Sequence, residues 1–384
     1  MKPLPFRAPL EEYDRQAREV LEGHRTGDPA AIKVVHENHP RFLDETIKWR
    51  PKRLTREEIQ KAALDLDDAR LALARWYTFA DWTAVREYVD AVIVDGPVYR
   101  YESAVEAVVN GELASLQSRL REQPELIRAR STRRTPHDPP VHRATLLHYV
   151  AANGVEGYRQ KTPTNAVEIA RALLEAGAEV DATAGMYGGE YTTMSMLVSS
   201  CHPARAGLQA ALAELLLDFG AAIEGQGSEP WRSPLMTALA FGYRDTAEAL
   251  VRRGARVPTV AAAAGLGRLA DAARLLPEAD ALDRHRALAL AAQLGHVEIV
   301  RLLLDAGEDP NRYNPEGNHG HSTPLHQAAF AGHESVVRLL VERRARLDIK
   351  DTVWHGTPLG WALYGGDTKQ LAIAEYLREH GASD

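Results

Sequence analysis

The side chains best equipped for chemistry gather in two polar stretches of this sequence. One, Val155 to Thr164, carries Glu156, Tyr158, Arg159 and Gln160; the other, Cys201 to Gly207, carries His202 and Arg205. Between them, Gly185 to Tyr191 adds Tyr187 and Glu190 among glycines. Arginine offers a planar fork of donors that matches a carboxylate or phosphate. Arg159 and Arg205, with Gln160, Tyr187 and Glu190, are therefore candidates for holding a small anionic ligand. Glu156, Tyr158 and His202 are residue types that move protons when held against a substrate, and would be the catalytic set of an enzyme acting on such an anion. The alternative is structural. A long loop needs anchors, and Arg159 paired internally with Glu156 would supply one.

Other motifs carry less. Cys201 beside His202 suggests a thiolate with its base, but neighbours on a helix point about 100° apart, so contact would require the helix to end at Pro203, and no third orienting group follows. His319-Gly320-His321 places two imidazoles together, yet no third ligand stands at a convincing spacing, and no metal is expected. Gly265-Leu266-Gly267 has no strand before it, so a dinucleotide site is not indicated, and no cofactor is expected. The single cysteine excludes internal disulfides and multi-thiolate zinc sites.

Bulk properties narrow the classes further. A net charge of -7, from 46 basic and 53 acidic side chains, is the wrong sign for non-specific nucleic-acid binding. The one basic run, Lys48, Arg50, Lys52, Arg53 and Arg56, precedes a helix start and reads as a solvated loop. No apolar stretch approaches a membrane span, and Met1 to Leu10 lacks the apolar core of a signal peptide. The expected location is the cytoplasm.

The elements that must position these residues announce themselves near the C-terminus. Thr323-Pro324-Leu325-His326-Gln327-Ala328-Ala329 is answered 34 residues later by Thr357-Pro358-Leu359-Gly360-Trp361-Ala362-Leu363. Weaker echoes start at Thr145, Thr192 and Ser233, and glycines follow the apolar runs at Gly177, Gly220, Gly254 and Gly307. Glycine there suits the left-handed residue that ends a helix. Up to residue 95 the chain is helical without this phrase: Asp28-Pro29 reads as N-cap and first helical residue, and Thr55 with Glu58 as a capping box. Asn165 with Glu168 reads the same way. The expected organisation is a helical, capping N-terminal unit over 1–95 and a repeat array over 96–384.

A period of about 33 residues with T-P-L-H-x-A is the ankyrin signature, and the chain resembles an ankyrin-repeat protein. The resemblance implies an all-α solenoid of about eight helix pairs with short finger loops. It makes His326 and His148 structural ties between a turn and its neighbour, and His296 and His333 ordinary consensus residues. Thr145 to Gln160 also resembles a group of bacterial ankyrin proteins. Against this pattern, 155–164 and 201–207 are insertions between paired helices. Stacked in adjacent repeats, they are expected to touch. The first helices and fingers form the concave side, where Tyr149, Gln327, Trp354, His355 and Trp361 offer the residue types that interface hot spots favour. The reading is a binding protein that grips an unidentified protein partner there; the alternative is the small-molecule or enzymatic pocket of the inserted loops.

Overall fold

In the computed structural model, described here over residues 1–47, 49–226 and 230–383, the chain is helical from end to end and divides into two compact units, 1–221 and 222–384. Five helices open the first unit: α1 (Leu10–Thr26), α2 (Pro29–Asn38), α3 (Arg56–Gln60), α4 (Leu66–Trp76) and α5 (Trp82–Ile93). Their ends are set locally. Asp28 accepts from the Ala31 amide, and Thr55 and Glu58 cap each other's backbone as a capping box requires. Their apolar faces meet in two cores, one around Tyr13, Leu73, Tyr77, Val85 and Tyr88, the other around Ile32, Val35, Phe42 and Ile59. Of the basic run, Lys48 lies outside the described residues, Arg50 pairs with Asp44, and Arg56 donates to the Gly27 carbonyl.

Three helix pairs follow in the same unit. They are α6 (Pro97–Asn110) with α7 (Leu113–Glu122), a 3-10 turn (Leu146–Ala151) with α8 (Ala166–Glu175), and α9 (Thr193–Leu197) with α11 (Gln209–Asp218), the one-turn helix α10 (Cys201–Arg205) lying between the last two. First helices pack on first helices and second on second. The fingers between pairs stack as well. Strands β1 (Thr183–Met186) and β2 (Gly189–Thr192) make an antiparallel hairpin turned at Tyr187 and Gly188, and the Gly185 amide donates to the His142 carbonyl of the preceding finger. The segment 1–95 is not separate from the pairs: the Ala80 amide donates to the Arg134 carbonyl at 3.0 Å.

The second unit contains five pairs: α12 (Pro234–Ala240) and α13 (Arg244–Arg252), α14 (Val260–Gly265) and α15 (Leu269–Leu275), α16 (Ala281–Leu294) and α17 (Val297–Asp305), α18 (Pro324–Phe330) and α19 (Glu334–Glu342), α20 (Pro358–Gly365) and α21 (Thr368–Glu379). Three first helices start at a hydroxyl N-cap: Ser233, Thr259 and Thr357 each accept from the amide three residues on. The first helices α12 and α18 are buried nearly all round; in α14 every residue is, and its alanines allow the close approach. Second helices bury one stripe, such as Val336, Val337 and Leu340 of α19, and face solvent with the rest. Gly295 ends α16 at φ 81°, and a Cβ there would lie 2.7 Å from the His333 ring of the next pair. The imidazole needs that space. No described helix is long and apolar enough to cross a membrane.

Candidate functional site

The inserted loop 155–164 turns inward. Gly157–Arg159 forms a 3-10 turn that drives Arg159 inward until it is 1% exposed. There it meets the interior face of α6: Arg159 Nη1 lies 2.7 Å from Glu102 Oε2, and Nη2 lies 2.9 Å from Glu106 Oε1. The long finger before the second pair adds Arg133 and His142. Arg133 lies 3.4 Å from both Glu102 and Glu156, and His142 Nε2 3.2 Å from Glu156 Oε1. Aromatic faces complete the enclosure, with the Arg133 guanidinium 4.3 Å from the Phe79 ring and 4.4 Å from that of Tyr88. Not all contacts are aligned hydrogen bonds. Arg133 Nε, Glu156 Oε2 and both Arg159 Nη atoms face opposite charge without hydrogen-bond geometry, so the cluster is held mainly by charge.

This environment fixes the protonation states. Burial pushes Glu156 up, but Arg133, His142 and Arg159 outweigh it and hold the carboxyl well below its usual range. Burial pulls Arg159 down, and Glu102 and its neighbours more than restore it. Burial raises the Tyr158 phenol, whose oxygen accepts from Arg133 Nη1 at 3.0 Å. Shifted in these directions, Glu156 stays ionised, Arg159 charged and the Tyr158 phenol protonated near neutrality, which makes each a poor proton donor or acceptor there. Two arginines face Glu102, Glu156 and Glu106, which leaves no spare positive charge for an anion.

The remaining loop residues lie elsewhere. Gln160 donates to the Val155 carbonyl at 2.7 Å, bracing its own loop. Tyr187 is exposed at the hairpin tip and donates to Asn153 Oδ1 at 2.8 Å, while Glu190 faces solvent. His202 is half-buried and Arg205 exposed on α10. The loops 155–164 and 201–207 are expected to touch; among the described residues, the bonds that 155–164 makes run to other elements. The first folds back on α6 and Thr78, with the Gly157 amide donating to Thr78 Oγ1 at 3.4 Å. Contact with the third pair runs instead through Asn153 and Ala152, whose partners are Met196, Ser199 and Ser200. Two local readings are also corrected. Pro203 sits in the first turn of α10 rather than ending a helix. Asn165 holds the N-cap position of α8 without capping it, because its amide donates to the Gly111 carbonyl at 2.8 Å.

The expected partner-facing residues also divide. Tyr149 is 1% exposed, its hydroxyl donating to Glu156 Oε1 at 3.4 Å, and Gln327 is 5% exposed and donates to Ser322. Neither can meet a partner. Trp354 is 44% exposed, His355 beside it is exposed at φ 54°, and Trp361 is half-buried. Asp351, which the sequence pattern did not single out, sets this corner. Its fully buried carboxylate accepts from the amides of Val353, Trp354 and Gly356, and from Trp361 Nε1 at 3.0 Å. Burial alone would raise its pKa; these donors outweigh it and lower the value.

Around Trp361 a ridge of rings extends along the second unit. Phe330 lies 5.9 Å, Trp354 6.1 Å and His321 5.7 Å from it between ring centroids, and His321 continues to His319 at 6.0 Å and on to Phe241 at 6.1 Å. His319 is anchored by Nε2 donating to the Ala240 carbonyl at 2.8 Å. Phe241 and Phe330 are 49% and 42% exposed, and Tyr364, one turn beyond Trp361 on α20, is 87% exposed. These aromatics cost hydration where they stand.

The Thr–His device repeats in both units. Thr145 and Thr323 each bond through the hydroxyl to the Nδ1 of the histidine three residues on, and the Nε2 atoms reach the carbonyls of Tyr191 and Gly356 in the next fingers. A family model described as ankyrin repeats matches three overlapping stretches, 204–314, 260–351 and 288–384. Residues 204–384 carry ankyrin repeats. The eight helix pairs make an all-α ankyrin fold. Among curated proteins, the chain is 37% identical over 106 residues to ankyrin repeat and SAM domain-containing protein 6 of Mus musculus, covering 28% of this chain and 11% of that protein. It is 36% identical over 92 residues to the inactive serine/threonine-protein kinase TEX14 of the same species, covering 24% and 6%, and 27% identical over 223 residues to the ankyrin repeat and KH domain-containing protein mask-1 of Caenorhabditis elegans, covering 56% and 8%. The chain thus spans only a small part of these relatives. Among solved structures, the human ASB11 ankyrin repeat domain aligns at 19% identity with a TM-score of 0.37, covering 73% of this chain and 98% of that one.

Proposed function

We propose that this ankyrin-repeat protein binds a protein partner on the finger and first-helix side of residues 222–384, along the ridge from Phe241 to Trp354 and Tyr364. Ankyrin repeats are generally protein-interaction modules, and the observation that carries the reading here is the exposure of Trp354, Phe330 and Phe241 on one connected set of rings, with Tyr364 exposed one turn along α20 from Trp361. Large rigid aromatics lose little conformational entropy on binding and dominate interface energetics. His355 and Trp361 complete the same corner. No observation favours the anion-binding or enzymatic alternative, whose central arginine is internally paired.

Site-specific photo-crosslinking tests this. Benzoylphenylalanine placed at Trp354 or Phe330 should trap the same partner in cell extract, and placed at Arg301 on the exposed face of α17 should trap none of it. Equal trapping at Arg301, or different proteins at the two ridge positions, would remove the ridge as the binding surface.

A further inference from the structure

The second pair of the second unit is abbreviated, and its brevity opens a cleft. The chain passes from α13 to α14 over 253–259 without a finger, while α16 runs 14 residues where α12 and α18 run 7. The extra first turn of α16 reaches back to α14, where Asp283 accepts from the amides of Val260 and Ala261 at 3.0 and 3.2 Å. What remains is a cleft of about 720 Å³ lined on its apolar side by Trp231, Met236, Val260, Ala262, Leu275 and Leu282. That volume falls in the range of about 300–1,000 Å³ typical of small-molecule sites.

The charges around it are unbalanced. Glu224 is matched by Arg256, whose Nε lies 3.3 Å away. Arg286 is already engaged: it donates to the Glu316 carbonyl at 2.6 Å, and its guanidinium lies 5.0 Å from the Trp231 ring. Glu278, Asp280 and Asp283 also line the cleft; Asp283 faces the Arg286 charge, whereas among the described residues Glu278 and Asp280 form no ion pair with a cation. Asp280 is partly satisfied as the N-cap of α16, accepting from Leu282 and Asp283. Glu278 is exposed and makes no such bond. An anion entering here would meet like charge, and a purely apolar ligand would strip water from carboxylates and return nothing. A long basic side chain satisfies both surfaces, its aliphatic stem on the accessible Trp231, Leu275 and Leu282 and its head among the acids.

We propose that this cleft receives an arginine or lysine side chain, flanked by an apolar residue, from a linear segment of the protein partner. The proposal rests on the reading of the chain as a protein binder, but uses a different surface from the aromatic ridge.

The test offers the immobilised full chain four pools of fluorescein-labelled hexapeptides, with Arg, Lys, citrulline or Glu fixed at the fourth position and mixtures of Ala, Leu, Phe and Ser elsewhere. The Arg and Lys pools should be retained about fivefold more than the citrulline and Glu pools, and high salt should shrink the excess. Glu278→Gln should reduce the excess and Glu278→Lys abolish it, with melting temperature unchanged because Glu278 supports no other group. Trp354→Ala should leave the excess intact. Equal retention of all four pools by the unmodified chain overturns the proposal, as does an Arg excess that survives Glu278→Lys. An excess lost in Trp354→Ala and kept in Glu278→Lys sinks the cleft while the partner reading stands. Failed crosslinking at Trp354 with the Glu278-dependent excess intact does the reverse.

Discussion

His148 and His326 show what a repeat letter does physically. Each imidazole sits between its own threonine and a carbonyl of the next finger, and burial lowers its pKa from 6.5 to about 4. The native state therefore holds both rings neutral where the unfolded chain would protonate them. Between pH 6.5 and about 4 the unfolded state binds more protons, so stability rises with pH across that window and is lost on acidification. Each ring contributes a slope of about 1.4 kcal/mol per pH unit. Urea unfolding at pH 7, 6 and 5 should show the chain weakening below pH 6.5, and the double variant His148→Gln, His326→Gln should be less stable at pH 7 but visibly flatter in its pH dependence. This residue-scale role was legible in the sequence, because the T-P-L-H phrase ties the histidine to a fixed place in a helix turn. The partners of Arg159 were not. Glu102, Glu106 and Arg133 belong to a helix and a finger with no periodic relation to the loop, and only the fold brings them together.

At the scale of elements, the sequence located the departures from the repeat but not their direction. The segments 155–164 and 201–207 were visible as additions because a phrase and its second helix were too far apart. Which neighbour each would meet depends on backbone turns that a pattern of types does not encode. Gly154 is one such turn. At φ 72°, a Cβ there would stand 2.3 Å from Met186 Sδ and 3.0 Å from Met196 Sδ, so the inserted loop leaves the first helix over the finger and first helix of the next pair. Gly207, at φ 70°, has nothing within 4 Å of the same position. Both pay the left-handed strain on conversion to alanine, but only Gly154→Ala also overpacks. Its melting temperature should fall clearly below that of Gly207→Ala, by the equivalent of about 1–3 kcal/mol. Equal losses would mean that the methionines give way freely.

For the whole molecule, a repeat array distributes its stability over neighbouring interfaces, and the first unit adds a long-range tie to that pattern. Residues 1–95 are joined to the helix pairs through Tyr77, Thr78, Ala80 and Tyr88, and the charged cluster sits among those contacts. The sequence announced the array through its period and left the attachment of the N-terminal helices open, because aperiodic contacts carry no such signal. The conspicuous loop arginine, Arg159, is scaffolding, and recognition is proposed for the exposed rings and the acidic cleft. Removing one member of a buried ion cluster strands the others without compensation, which costs about 3–5 kcal/mol. The direct measurement is urea unfolding of Arg159→Met, followed by amide hydrogen exchange over 66–110. A loss of that size, with faster exchange in α4, α5 and α6, is the predicted result; unchanged stability and unchanged protection would contradict it.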